Sequence, residues 1–192
     1  MPADRPGASL WDWSLATYER PGVAAACLAL QDRHGLDVNL LLAAVWAGAS
    51  GRGLDPAAMR ELAASVARWH GEVVRPLRAL RRRLKHDPHG IDAEAAGRVR
   101  ARIAAVELDA EQAEQLAIEA QVLATASCDA ARRANPRETA RANLAALAPA
   151  CGFAWAADDG RLLDLLVAAG CAGDGCAEDD RTDDRTGGGT PV

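Results

Sequence analysis

Two short stretches hold most of the polar side chains with chemical potential. The first, Gln31-Asp32-Arg33-His34-Gly35-Leu36-Asp37-Val38-Asn39, lies between two apolar segments. The second is Trp69-His70-Gly71-Glu72-Val73-Val74-Arg75-Pro76-Leu77-Arg78. Gln31, Asp32, Asp37, Asn39, His70, Glu72, Arg75 and Arg78 form a candidate polar site, with Trp46 and Trp69 as candidate walls. Carboxylates and an imidazole can exchange protons at neutral pH, and guanidinium forks can hold an anion. The same groups could instead close on one another and fix the angle between two helices. Asp37 is explained by capping, because a carboxylate accepts from the free N–H groups of a first helical turn. Asp32 falls near the end of its helix, where carbonyl dipoles disfavour a negative charge. It is therefore expected to be buried against an arginine, Arg75 or Arg78.

Other chemistries find little support. His34, His70, His86 and His89 have no metal-ligand spacing, and Cys27, Cys128, Cys151, Cys171 and Cys176 contain no C-x-x-C pair. Neither a metal nor another cofactor is expected on this basis. Asp179-Asp180-Arg181-Thr182-Asp183-Asp184 has the letters of an aspartate-rich magnesium motif, but it stands in a Gly-rich polar stretch with no helix wall to hold its carboxylates together.

The elements that must position the polar site are helical. Ser9 caps a helix through Tyr18, and Pro21 opens a second that ends at Gly35. Asp37 caps a third, to about Ala49, and Asp55-Pro56 starts a fourth. Met59, Leu62, Val66, Trp69, Val73, Leu77, Leu80 and Leu84 recur in steps of three and four, as one helix face requires. Pro76 lies inside that pattern, so the helix is expected to bend there without breaking. After His86-Asp87-Pro88-His89-Gly90 a second long helix follows to about Arg133, with an inward stripe expected through Val99, Ile103, Val106, Ala110, Ala113, Ala117 and Ala120. A short link between long helices implies an antiparallel αα-hairpin. Asn135-Pro136-Arg137-Glu138 starts another helix, and Arg161 to Ala169 forms a last short one.

The fold class that emerges is all-α: a helical bundle with a long antiparallel αα-hairpin and a long helix bent at Pro76. Its expected organisation is a single helical domain over residues 10–169, comprising N-terminal helices (10–50), the hairpin (55–133) and C-terminal helices (136–169). Residues 1–9 and the acidic Gly-rich tail 170–192 are expected to be disordered. Composition agrees. Among 192 residues about a quarter are Ala, while aromatic residues make up only 4%, including one Tyr and one Phe, which leaves little material for packing a sheet.

The net charge is −5, from 22 basic and 27 acidic residues, and it is unevenly spread. Arg75, Arg78, Arg81, Arg82, Arg83, Lys85, Arg98, Arg100 and Arg102 face only Asp87, Asp92 and Glu94 between positions 75 and 102, a net +6 at the hairpin tip. Residues 174–185 carry six acids against two arginines, a net −4. An acidic protein partner or the chain's own tail is the expected occupant of the tip. Nucleic acid is disfavoured by the overall acidity and the lack of a groove-reading motif. No signal peptide or membrane span is evident, and an odd set of unpaired cysteines suits a reducing cytoplasm.

Trp13-Ser14-Leu15 through Tyr18, Pro21-Gly22-Val23, Leu30-Gln31-Asp32, Gly35, Asp37-Val38-Asn39-Leu40-Leu41-Leu42 and Val73-Val74-Arg75-Pro76-Leu77-Arg78 resemble a proteobacterial family of small uncharacterised proteins, a domain of unknown function. The resemblance implies a helical bacterial protein and carries no activity or cofactor with it. On the residues alone, the first functional reading is a non-enzymatic module that binds a partner or assembles with itself. The alternative is a small-molecule-binding protein or enzyme whose polar cleft lies between the Gln31–Asn39 turn and the His70–Arg78 elbow.

Overall fold

The computed structural model describes residues 8–87, 90–125 and 135–172. Every regular element among them is helical: α1 (Leu10–Tyr18), α2 (Val23–His34), α3 (Val38–Ala49), α4 (Pro56–Trp69), a π turn (His70–Val74), α5 (Arg75–His86), α6 (Ala93–Thr125), α7 (Pro136–Ala150) and α8 (Gly160–Gly170). The expected caps form. Ser9 Oγ accepts from Asp12 N at 3.1 Å, Asp55 Oδ1 from Ala57 N and Ala58 N, and Asn135 Oδ1 from Arg137 N at 2.9 Å. Helix α2 starts two residues later than Pro21 suggests, because Gly22 takes a left-handed φ of 83° that cannot continue into a helix. The acidic tail from residue 173, and with it the Asp179–Asp184 run and the tail–tip pairing, lies outside the described residues.

Helix α3 is the central element. Every residue from Asn39 to Gly48 is buried, as an all-round apolar helix requires, and α1, α2, α6, α7 and α8 pack around it. Its crossing with α7 is a backbone-to-backbone contact. A methyl group added at Gly48 would lie 2.3 Å from both N and Cα of Ala140. Beside this crossing, buried Asn143 donates to the carbonyls of Ala44 and Arg52 and accepts from Leu54 N, tying the α3–α4 connection to α7. The bonds to Arg52 O and from Leu54 N satisfy backbone groups of the connection that no helix could.

The hairpin is antiparallel, as Arg78 meeting Glu111 and Arg81 meeting Glu107 require, but its inward faces differ from those read in the sequence. The chain from Pro56 to His86 is helical throughout, and the irregularity near Pro76 is the π turn, in which Arg75 N donates to His70 O. Such a turn holds nearly one residue more than an α turn. It rotates everything after it, so Met59, Leu62 and Val66 are followed inward by His70, Val74, Arg78 and Arg81. The expected positions Trp69 and Leu80 are left exposed, and Val73, Leu77 and Leu84 are only partly covered. Pro76 then falls in the first turn of α5, where its missing N–H is harmless.

In α6 the buried side chains are Ala96, Glu107, Ala110, Glu114, Gln115, Ile118 and Val122. Of the expected stripe only Ala110 is buried; Val99 and Val106 are about half exposed. The basic tip is correspondingly weaker than its composition suggests. Arg78 and Arg81 turn inward, Arg98 pairs with Glu94, and Arg82, Arg83, Lys85 and Arg102 remain exposed, with Arg100 half-buried.

A latch closes the other end. Asp159 is fully enclosed, accepting from Ala156 N at 2.7 Å and pairing with Arg33 and with His34 Nε2 at 2.7 Å. The His34 ring stacks on Phe153, and Trp155 meets both rings edge-on.

Two outcomes follow from this packing. Gly48→Ala forces α3 and α7 apart and should cost about 3 kcal/mol or more, read as a shift in urea midpoint at unchanged m. Burial raises the Asp159 pKa, but the Ala156 N–H, His34 and Arg33 more than offset it and hold the group below its usual value. Its contribution is therefore present above the ordinary carboxylate range and lost as pH falls through the depressed value. Asp159→Asn should cost roughly 2 kcal/mol at pH 7. Urea melts at pH 3 should show that difference shrinking; a difference independent of pH would assign the effect to packing.

Candidate functional site

Three elements meet at one buried cluster: the N-cap of α3, the π turn and the middle of α6. Asp37 Oδ1 accepts from Asn39 N at 2.8 Å, which closes the first turn of α3 and orients the carboxylate. The Asn39 amide Nδ2 donates to Glu114 Oε2 at 2.6 Å, while its Oδ1 accepts from Gln115 Nε2 at 2.8 Å. His70 enters from the π turn, with Nδ1 3.3 Å from both Asp37 Oδ2 and Glu114 Oε1. Its other near approach, 3.5 Å to Glu114 Oε2, is at the edge of hydrogen-bond range.

The electrostatics follow from this crowding. Burial, then the neighbouring Glu114 carboxylate, pushes the Asp37 pKa up to about 7 against the opposing pull of His70 and the Asn39 N–H. Burial lowers the His70 pKa, but the hydrogen bond to Glu114 and the charges of Asp37 and Glu114 outweigh it and raise it above its ordinary value. The cluster therefore holds protons in the range where most carboxylates have lost theirs.

About two helical turns back along α6 lies a second acidic group. Glu107 receives Arg81 through two nitrogens and Arg78 Nε at 3.2 Å, and Arg78 also reaches Glu111. Burial raises the Glu107 pKa, but the two arginines more than compensate and hold it below its usual value.

Among the cavities beside these groups, two are lined in part by the Gln31–Asn39 segment. One, of about 290 Å³, lies between α1, α2, α3 and the hairpin, with Tyr18, Gln31, Asn39, Arg78, Glu111 and Gln115 among its walls. The other, of about 270 Å³, is lined by Gln31, Asp32, Gly35, Leu36, His70, Arg75, Arg78, Ala79 and Arg82. The candidate residues Gln31, Asp32, His70, Arg75 and Arg78 thus share one concave surface, and Asp37 and Asn39 lie beside it in the cluster. Three others do not join it. Glu72 is on the outer surface, paired with Arg68 at 3.1 Å. Trp46 is a core residue whose indole N–H donates to Ala8 O, and Trp69 is 43% exposed and donates to Ala110 O at 3.0 Å.

Asp32 corrects the expectation placed on it. It is exposed, with no hydrogen bond or ion pair to a described residue, and Arg78 is engaged by Glu107 and Glu111 instead. Exposure lets water solvate the charge, so the helix-end penalty stays small. Besides Asp159 in the latch, the buried acids among the described residues are Asp37, Glu107 and Glu114. The two glutamates, with Glu111 and Gln115, are not among the residues singled out in the sequence. Their spacing carried the signal, because 107, 111 and 114 fall on one helical face. Arg78→Ala should cost roughly 3 kcal/mol through the stranded carboxylates. Asp32→Ala should change stability by less than about 0.5 kcal/mol in the same denaturant melt.

No curated protein and no solved structure matches the chain. A family model does match, over residues 9–118, which span α1 through most of α6 and include Asp37, Asn39, His70, Arg78, Glu107 and Glu114. Helices α7 and α8 lie beyond the matched segment. With more than half of its length matched, the chain belongs to the family described as protein of unknown function, DUF2390.

Proposed function

We propose that the protein binds a small anionic molecule in the cleft between the Gln31–Asn39 turn and the His70–Arg78 segment. The observation that carries this reading is the convergence of His70, Arg75, Arg78 and Arg82 on one open cavity in which Asp32 is the single acidic wall residue. Arg75 and Arg82 are exposed and form no ion pair with a described residue, so their guanidinium forks are available to a carboxylate or phosphate. Gln31 adds an amide donor at the same wall, and the buried Asp37–His70–Glu114 cluster behind it can adjust its protonation to an incoming charge.

The test is thermal unfolding with phosphate, succinate and citrate at matched ionic strength. A ligand at ten times its Kd should raise Tm by about 4 °C, and the Arg75→Ala/Arg82→Ala double variant should lose that shift. No shift with any of the three at millimolar concentration would remove the reading.

A second reading, partner binding or self-assembly, draws on a different surface. Val99, Val106, Leu116 and Leu123 of α6 are each about half exposed and recur along its outer side. Apolar rows of this kind suit a helical partner or a second copy of the chain. Light scattering should then find Val106→Glu less associated than the parent protein, at unchanged helicity.

A further inference from the structure

Each carboxylate in the buried cluster spends one oxygen on the scaffold and leaves the other free. Asp37 Oδ1 is held by Asn39 N, and Glu114 Oε2 by Asn39 Nδ2, with Asn39 itself fixed by Gln115. The remaining atoms, Asp37 Oδ2 and Glu114 Oε1, are both buried without a hydrogen-bond partner. Both point at the same atom, His70 Nδ1, at 3.3 Å. One imidazole N–H serves two acceptors only through a weak three-centre bond, and a poorly paired buried carboxylate oxygen is costly. The Asp37 and Glu114 side chains are 8% and 0% exposed, so bulk water does not supply what is missing.

We propose that Asp37 Oδ2, His70 Nδ1 and Glu114 Oε1 bind one divalent transition-metal ion of the Zn²⁺ or Mn²⁺ class. All three donor atoms lie within 4.8 Å of one another. The 3.3 Å separations are long for hydrogen bonds, yet near the roughly 3.4 Å between ligands of a tetrahedral ion with bonds of about 2.1 Å. One nitrogen and two oxygens suit a borderline ion better than Ca²⁺ or Mg²⁺, which favour oxygen alone. Two carboxylates and a neutral imidazole balance a 2+ charge. Asn39 acts on both carboxylates at once, which is how outer groups orient metal ligands. His70 also lines the 270 Å³ cavity, which provides a path for the ion and a coordination position for water or a ligand. The site stands on these atoms alone and does not require the anion-binding reading.

The experiment uses the full chain, stripped with a chelator and titrated calorimetrically with Zn²⁺ and Mn²⁺. Co²⁺ is then added and followed in the visible spectrum. The expected result is one ion per chain and cobalt d–d bands without a thiolate charge-transfer band, so that the cysteines are not the ligands. His70→Gln and Asp37→Asn should each weaken binding about 100-fold or more. Circular dichroism identifies the folded variants, and either one suffices. Should neither fold, the cobalt spectrum of the parent protein decides between oxygen/nitrogen and sulfur ligation. Arg75→Ala/Arg82→Ala should bind metal like the parent, so loss of anion binding leaves this site untouched. Absence of stoichiometric uptake of all three ions by the folded parent would overturn the proposal in favour of a shared proton. A thiolate band, or binding unchanged by His70→Gln, would overturn it in favour of the cysteines or another site.

Discussion

The structure depends on how α6 compensates the acids on its buried face. Glu107 and Glu114 both turn toward the bundle, and an unpaired carboxylate there would cost several kcal/mol. Each neighbouring element supplies donors. Helix α5 brings Arg78 and Arg81 to Glu107, while the start of α3 brings Asn39, and the π turn His70, to Glu114. The π turn makes this possible, since a regular helix through residues 70–74 would present Trp69, Val73, Leu77 and Leu80 inward and point the arginines elsewhere. Pro76 and the π turn are thus parts of one arrangement, a helix irregularity at the place where polar side chains must be aimed.

Rigidity of the polar cluster comes from the opposite end of α3. The Gly48–Ala140 crossing and the Asn143 bonds to Ala44, Arg52 and Leu54 clamp α3 against α7. Asp37 and Asn39 project from the N-terminus of the same clamped helix, so they are set by a core element and not by a loop. The matched family segment ends within α6, before the clamp's α7 half. The polar cluster therefore belongs to the family's own segment, while α7 buttresses it from outside.

Placing two acids and a Gln on the buried face beside Ala, Ile and Val leaves several apolar side chains of α6 outward. Two surfaces of different character result. One is a concave polar wall with arginines at its edge; the other is a row of half-exposed Val and Leu. The first suits a small charged ligand and the second a partner. The first lies between the end of α2 and the π turn–α5 segment and the second along α6, so the two do not share residues.

The local structure was legible in the residues themselves. Ser9, Asp37, Asp55 and Asn135 cap the helices they announce, Gly35 ends α2 with φ 65°, and the αα-hairpin follows from two long periodic segments with a short link. These features depend on neighbours a few positions apart, so short-range rules decide them. Which faces turn inward was decided by tertiary packing. The apolar periodicity favoured Val99, Val106 and Ala113 of α6 and Trp69, Val73 and Leu80 of the helix before it, because a hydrophobic stripe is the usual buried face. Contacts between side chains about 30 to 75 positions apart overrode that preference. Glu107 found Arg78 and Arg81, Glu114 found Asn39 and His70, and the one-residue register change of the π turn aligned them. No local spacing encodes a partner that distant. For that reason Asp37, Asn39 and His70 could be named as candidates from the sequence, while Glu114, which joins them, emerged only from the fold.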